Sequence, residues 1–256
     1  MFQIIAYIRF LLRSTNQHGV HSPFVYDLVT QCFYDKTNYP DYKALKTYRK
    51  TLLGNTDRIS IQDFGSGSRV FSSNERSISA MAKHSGSALK RVQLLYRLVR
   101  YFKPQTTLEL GTSLGMATQA LALGHANNHI TTIEGCPNTS AFAQQQLSKI
   151  QSNNIAVITG DFDTVLPQLK TPQYDLIFID GHHNKTATLR YFELLLNNAH
   201  NDTLFIFDDI YWSKDMQSAW QQITAHPKVT VTIDTFNWGI VSLRKEQAKE
   251  NFTIRV

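Results

Sequence analysis

Between residues 106 and 224, short apolar runs of strand length alternate with segments of helical spacing, and that rhythm leaves few folds open. The runs lie at 107–110, 129–133, 155–159, 175–179 and 204–207; the helical segments lie at 116–123, 139–150, 163–169, 186–197 and 214–224. Strands apolar on both faces, each followed by a helix, predict a parallel sheet covered on both sides. Two further strand-like runs, 229–235 and 239–243, follow with no helix between them, which predicts an antiparallel hairpin at the sheet edge. The fold class expected is therefore α/β: a Rossmann-like, mostly parallel sheet of seven strands.

The first 104 residues read differently, as helices joined by polar turns. Ile4, Ile8, Leu11 and Leu12 share one face of a short first helix. Phe2, Ile5 and Ile8 beside Arg9 and Arg13 leave open a membrane interface for this helix, although that face is expected to pack on the body of the protein or on a second subunit. Ser22-Pro23 is a cap followed by a first-turn proline, opening a helix over 24–33. A third helix covers 41–53 and stops at Gly54, and Ser87 caps a long one over 88–102 that Pro104 ends. Charge shifts at the same point. Residues 1–104 hold 16 Lys/Arg against 6 Asp/Glu, and residues 105–256 hold 10 against 14. Both signals divide the chain into a helical amino-terminal extension or lid, 1–104, and a core domain, 105–256.

Composition removes whole classes. With 42% hydrophobic, 18% charged and 11% aromatic residues the chain is not a disordered one. Two cysteines exclude a disulfide framework and fit a reducing compartment. No apolar run reaches membrane-spanning length; residues 1–12 are broken by Arg9 and lack a signal-peptide pattern, so a cytoplasmic protein is expected.

In such sheets ligands bind at the carboxyl ends of the strands. After the first strand stands Glu109-Leu-Gly111-Thr112-Ser113-Leu-Gly115. A dinucleotide fingerprint begun at Gly111 would need glycines at 113 and 116, where Ser113 and Met116 stand. What remains is a tight turn suited to a nucleoside without phosphates, with backbone amides and Glu109 meeting its amino-acid tail. Glu134, 23 residues after Gly111, ends the next strand and suits a ribose diol. Asp161, after the third strand, suits an adenine amine, with Phe162 against the ring. Each has a plainer reading: Glu134 as a solvated carboxylate, Asp161 as a helix cap. A similar turn, 63–68, is followed by a polar segment instead of an apolar helix and reads as a loop over the active-site mouth.

From about residue 107 to 243 the stretches LELGTSLG, TTIEG, ITGDF, YDLIFIDGHH and LFIFDDIYW resemble the class I S-adenosylmethionine-dependent methyltransferases. Among these they are most similar to the metal-dependent O-methyltransferases of catechols and macrolide sugars. The resemblance implies S-adenosylmethionine contacts at Glu109, Gly111, Thr112, Ser113, Gly115, Glu134, Gly135, Asp161, Phe162 and Asp180. The motif HGVHSPF resembles the helical extension of bacterial relatives and implies no known role.

The fourth and fifth strands end in Asp180-Gly181-His182-His183 and Asp208-Asp209. Three carboxylates at one rim repel unless a cation holds them or some are protonated, and hard oxygen donors favour Mg²⁺, Mn²⁺ or Ca²⁺. The resemblance implies metal ligands at Asp180, Asp208 and Asp209 and a general base at His183, with His182 in reserve. The plainer reading makes the aspartates caps of the helix near Ser213 and the histidines surface residues. Tyr211 and Trp212 wall an acceptor pocket or pack the core. The reading is O-methylation of a hydroxylated small molecule. The alternatives are a nucleic-acid or protein methyltransferase docked by the basic extension, and a non-catalytic cofactor-binding partner. Asp-Gly-His-His stands where base-amine methyltransferases carry Asn/Asp-Pro-Pro-Tyr, and no nucleic-acid module is recognisable. A homodimer stays open.

Overall fold

The computed structural model describes residues 1–62, 73–84, 88–150, 154–170 and 173–256. In chain order the described residues form α1 (Phe2–Arg13), α2 (Pro23–Leu28), α3 (Tyr42–Gly54), β1 (Arg58–Ser60), β2 (Glu75–Ser77), α4 (Ile78–His84) and α5 (Leu89–Phe102). Then follow β3 (Thr106–Leu110), α6 (Met116–Gly124), β4 (His129–Glu134), α7 (Pro137–Leu147), β5 (Ile155–Thr159) and α8 (Phe162–Val165). The rest are β6 (Tyr174–Ile179), α9 (Lys185–Leu195), β7 (Ala199–Asp208), α10 (Lys214–Ala225), β8 (Val231–Asp234), β9 (Trp238–Ser242) and β10 (Glu250–Thr253). The strand–helix alternation predicted from residue 106 onward is present. The main sheet is mixed and mostly parallel, has eight strands, and is flanked by helices in a Rossmann-like arrangement.

The chain forms two compact units: one combines Met1–Tyr34 with Leu166–Val256, and the other is Asp35–Val165. In the second unit β3, β4 and β5 pair in parallel, in that order. Leu108 and Leu110 are buried on one face of β3, Thr107 and Glu109 on the other, as a doubly covered strand requires. Helix α5 buries Val92, Leu95 and Val99 along one stripe and ends at Lys103, whose left-handed backbone (φ 50°) closes it before Pro104. Ala88 is its N-cap; Ser87, the cap expected, lies outside the described residues, as does the turn at 63–68. The antiparallel pair β1–β2 was not expected, since Arg58–Ser60 and Glu75–Ser77 are polar runs of three.

In the first unit β6 and β7 are parallel, β9 is antiparallel to both β7 and β8, and β10 runs parallel to β8. The hairpin β8–β9 is as predicted, but the sheet has eight strands and not seven. Glu250–Thr253 takes the edge beside β8 with only Phe252 and the following Ile254 turned inward, too short an apolar pattern to read as a strand. The amino terminus is tied to this end of the chain. Thr15 bridges to Ile254, Tyr34 donates its hydroxyl to the Arg255 carbonyl at 2.9 Å, and Ser22 caps α2 as expected.

Helix α1 is held by a face the sequence did not single out. Its buried residues are Ala6 and Phe10, and the Ile4–Ile8–Leu12 face is turned to solvent. Phe10 wins the inward place because it meets Tyr7 and Phe236, with ring centroids 6.2 Å and 5.5 Å away.

Candidate active site

In the Asp35–Val165 unit, the turn after β3 is built from residues whose backbones leave ordinary conformations. Gly111 (φ 102°) and Gly115 (φ 77°) take the left-handed region at little cost, whereas Ser113 (φ 48°) does so against its Cβ. The turn survives because it is braced. The Glu134 carboxylate accepts the Ser113 amide at 2.8 Å and the Cys136 amide at 3.0 Å. The Tyr48 hydroxyl, on α3, donates to the Leu114 carbonyl at 2.6 Å. The Thr112 and Thr132 hydroxyls share a hydrogen bond of 2.6 Å. Glu134 is thus less a solvated carboxylate than a brace, and each oxygen keeps a lone pair for a further donor.

Glu109 lies under this turn with no exposure to solvent. Its Oε2 accepts the Thr118 hydroxyl at 2.5 Å, while Oε1 is buried without a hydrogen-bond partner. Burial raises its pKa to about 7, against the pull of the Thr118 and Thr132 hydroxyls, and the nearby Glu134 charge pushes the same way. A buried carboxyl oxygen with no partner is a costly arrangement that a cationic or hydrogen-bonding ligand relieves. Gly135 and Asp161 are half-buried, and the Asp161 carbonyl opens α8 by accepting the Thr164 and Val165 amides. Phe162 is buried at 4% exposure, so its ring packs inside the unit.

Tyr48 was not foreseen. Nothing in a helical tyrosine 66 residues before its partner marks it as a support for a turn.

The other candidates belong to the other unit. Strands β6 and β7 pair with Ile179 opposite Phe207, so Asp180 and Asp208 leave neighbouring strand ends side by side. Three residues at these ends are non-glycine and left-handed: His182 (φ 65°), His183 (φ 34°) and Asp209 (φ 52°). Such backbones cost about 1–3 kcal/mol each and persist only where the surroundings over-determine them. His183 Nε2 lies 3.5 Å from Asp180 Oδ1, and its ring centroid is 6.2 Å from that of Trp212. His182 turns the other way, its Nδ1 3.3 Å from the Tyr191 hydroxyl on α9.

The aspartates are not helix caps. Ser213 caps α10 by accepting the Met216 amide, and Asn184 caps α9 by accepting the Ala187 amide. Asp208, 4% exposed, accepts the Asp209 amide at 2.9 Å, and the Asp209 carbonyl accepts the Trp212 amide to close a turn. Among the described residues no three His, Cys, Asp or Glu side chains are gathered as a ligand group for a metal.

Beside Asp209 lies a cavity of about 380 Å³, lined by Gln3, Ile4, Tyr7 and Ile8 of α1 together with Asp209, Tyr211, Trp212, Phe236 and Asn237. Tyr211 does both things expected of it as alternatives: it lines this cavity and is buried, its ring stacked on Phe236 at 5.0 Å and its hydroxyl donated to Asp234 at 2.6 Å.

Residues 108–210 match a family model described as a methyltransferase domain. This stretch is similar to methyltransferase domains. It holds both the turn after β3 and the ends of β6 and β7. The chain is similar to human transmembrane O-methyltransferase, 33% identical over 113 residues, which is 42% of this chain and 38% of the relative. The corresponding protein of Propithecus coquereli is 37% identical over 90 residues, 33% of this chain and 31% of the relative. The chain thus spans well under half the length of the curated relatives it matches. Among the described residues no helix is long and apolar enough to cross a membrane.

Solved structures share the fold of this chain. The S-adenosylhomocysteine-bound methyltransferase PaMTH1 of Podospora anserina superposes with a TM-score of 0.62 at 15% identity, over 87% of this chain and 96% of that one. An O-methyltransferase of Bacillus cereus in complex with S-adenosylhomocysteine gives 0.55 at 18%, over 83% and 94%. TomG of Streptomyces achromogenes, solved with S-adenosylmethionine, gives 0.54 at 18%, over 62% and 81%.

Proposed function

We propose that the chain is an S-adenosylmethionine-dependent O-methyltransferase of a hydroxylated small molecule, with His183 as the base. The observation that carries this reading is the strained backbone at His182, His183 and Asp209. Left-handed non-glycine residues concentrate at the carboxyl ends of two adjacent parallel strands, where this fold takes its ligands.

The cofactor side suits a nucleoside with an amino-acid tail. Glu109 Oε1 offers a buried acceptor for an ammonium group, and Glu134 keeps capacity for a ribose diol. S-adenosylmethionine supplies an electrophilic sulfonium methyl when bound. On the acceptor side, His183 Nε2 faces Asp180, so Nδ1 takes the hydroxyl proton as the oxygen bonds to the methyl carbon and the carbon–sulfur pair stays on sulfur. Asp180, at 3.5 Å, holds the ring in place and stabilises the imidazolium that forms. His182, committed to Tyr191, positions the segment.

Asp180, Asp208 and Asp209 are hard oxygen donors at adjacent strand ends, not drawn together as a ligand group in this structure, and they are the residues that would hold a divalent cation such as Mg²⁺. Such an ion lowers the pKa of a bound hydroxyl. The test is transfer of tritiated methyl from S-adenosylmethionine to a panel of phenols, catechols and sugars. Turnover that is lost in His183→Ala, with S-adenosylhomocysteine still bound, supports the reading. Full activity in that variant overturns the assignment of the base.

A further inference from the structure

The exposed face of α1 and the cavity beside Asp209 belong to one apolar surface. Ile4 and Ile8 line the cavity, yet they are 66% and 53% exposed, so the cavity opens across them onto the outside of the helix. Leu12, 82% exposed, continues the same face one turn further, and Ile5 flanks it. The helix is held by Ala6 and Phe10, which are turned away from Ile8 and Leu12, and at the cavity itself by the Gln3 side chain, whose amide donates to the Trp212 carbonyl at 3.4 Å. An amphipathic helix that turns its aliphatic side chains outward, away from the residues that anchor it, leaves apolar area that needs a cover.

At the inner end of this surface stand a carboxylate, Asp209, and two aromatic walls, Trp212 and Phe236. Aromatic walls and one acidic group suit a flat hydroxylated head. The aliphatic strip suits a saturated tail and offers nothing to a sugar, a nucleotide or a charged carrier.

We propose that the acceptor is an amphipathic molecule whose hydroxylated ring enters the cavity and whose aliphatic tail lies along Ile4, Ile8 and Leu12 of α1. The proposal rests on the O-methyltransferase reading for the role of the head and adds the tail as the determinant of specificity. From Ile4 to Leu12 the helix advances about 12 Å. That length takes roughly ten carbons of extended chain. Each methylene beyond the cavity mouth gains contact on one side only, about half of a full burial.

The experiment uses the gallate esters, methyl through dodecyl, below their micelle concentrations. Transfer of tritiated methyl gives kcat/KM, and equilibrium dialysis against the S-adenosylhomocysteine-loaded protein gives affinity. Both should rise about twofold per methylene, half the exponent of the roughly fourfold that complete burial gives, and level off near ten carbons. Ile8→Glu and Leu12→Glu should each flatten that slope, and Leu194→Glu, an exposed apolar position on α9, should leave it intact. Melting temperatures check that the variants are folded. Turnover or binding independent of tail length, esters that fail to bind at any length, or a slope unmoved by both α1 variants overturns the proposal. Tail-dependent binding without methyl transfer supports the tail site and overturns the methyltransferase reading instead; absence of S-adenosylhomocysteine binding in calorimetry overturns that reading independently.

Discussion

If Glu109 receives the ammonium of the cofactor, binding must be linked to proton release. The carboxyl is fully buried, has one oxygen without a partner and a pKa raised to about 7 by desolvation. In the free protein it is about 0.9 protonated at pH 6, 0.5 at pH 7 and 0.1 at pH 8. An ammonium placed against it favours the charged form, so the bound state releases that fraction of a proton. Apparent affinity for S-adenosylhomocysteine should therefore fall about tenfold from pH 8 to pH 6. The sign for stability runs in the same window. A carboxyl whose folded pKa lies above its ordinary 4.5 stabilises the free protein fully below about 4.5, and that contribution, of order 3 kcal/mol, is lost as pH rises through 7. The melting temperature of the free protein should drop over this range, and the increase produced by S-adenosylhomocysteine should grow. The assay is calorimetric titration at pH 6, 7 and 8 in buffers of differing ionisation enthalpy. Glu109→Gln, neutral at every pH, should bind weakly and show neither proton release nor the pH slope in melting. Proton release equal in the wild type and Glu109→Gln, or none in the wild type at pH 6, would refute the placement of the ammonium at Glu109.

Three further outcomes follow from the geometry. His183→Ala and Asp180→Ala should each lower methyl transfer, the former by about 10²–10⁴-fold as expected for loss of a general base, with S-adenosylhomocysteine affinity within about twofold of wild type in calorimetry. Tyr48→Phe removes the hydroxyl that donates to the Leu114 carbonyl; it should cost about 1 kcal/mol in urea unfolding and weaken S-adenosylhomocysteine several-fold, because the turn loses a brace. EDTA should lower turnover, and Mg²⁺ should restore it, while S-adenosylhomocysteine affinity stays unchanged in calorimetry; turnover indifferent to both would remove the cation from Asp180, Asp208 and Asp209.

The sequence carried the fold where one periodicity dominated. Five strand–helix pairs were placed in order, with β7 starting earlier than its apolar run, because β3, β4, β6 and the end of β7 are covered on both faces and so read as apolar; β5, at the sheet edge, has no fully buried residue but is apolar enough to show. Glu109, Ser113, Glu134, Asp180 and Asp208 were placed at strand ends for a related reason: a parallel sheet presents the first polar residues after each strand at one edge. The failures occur where the pattern is ambiguous about its partner. Edge strand β10 needs only Phe252 and Ile254 turned inward, and β1–β2 has almost no apolar content. In α1 the aliphatic stripe was the clearest signal, yet the residues that anchor the helix are Ala6 and Phe10. Hydrophobic spacing identifies a face that avoids water, but not what covers it, and here the anchor is the ring cluster of Phe10, Tyr7 and Phe236. The exposed stripe of Ile4, Ile8 and Leu12 runs from the cavity beside Asp209, so its cover is read from the groups at that cavity and not from the spacing of the helix.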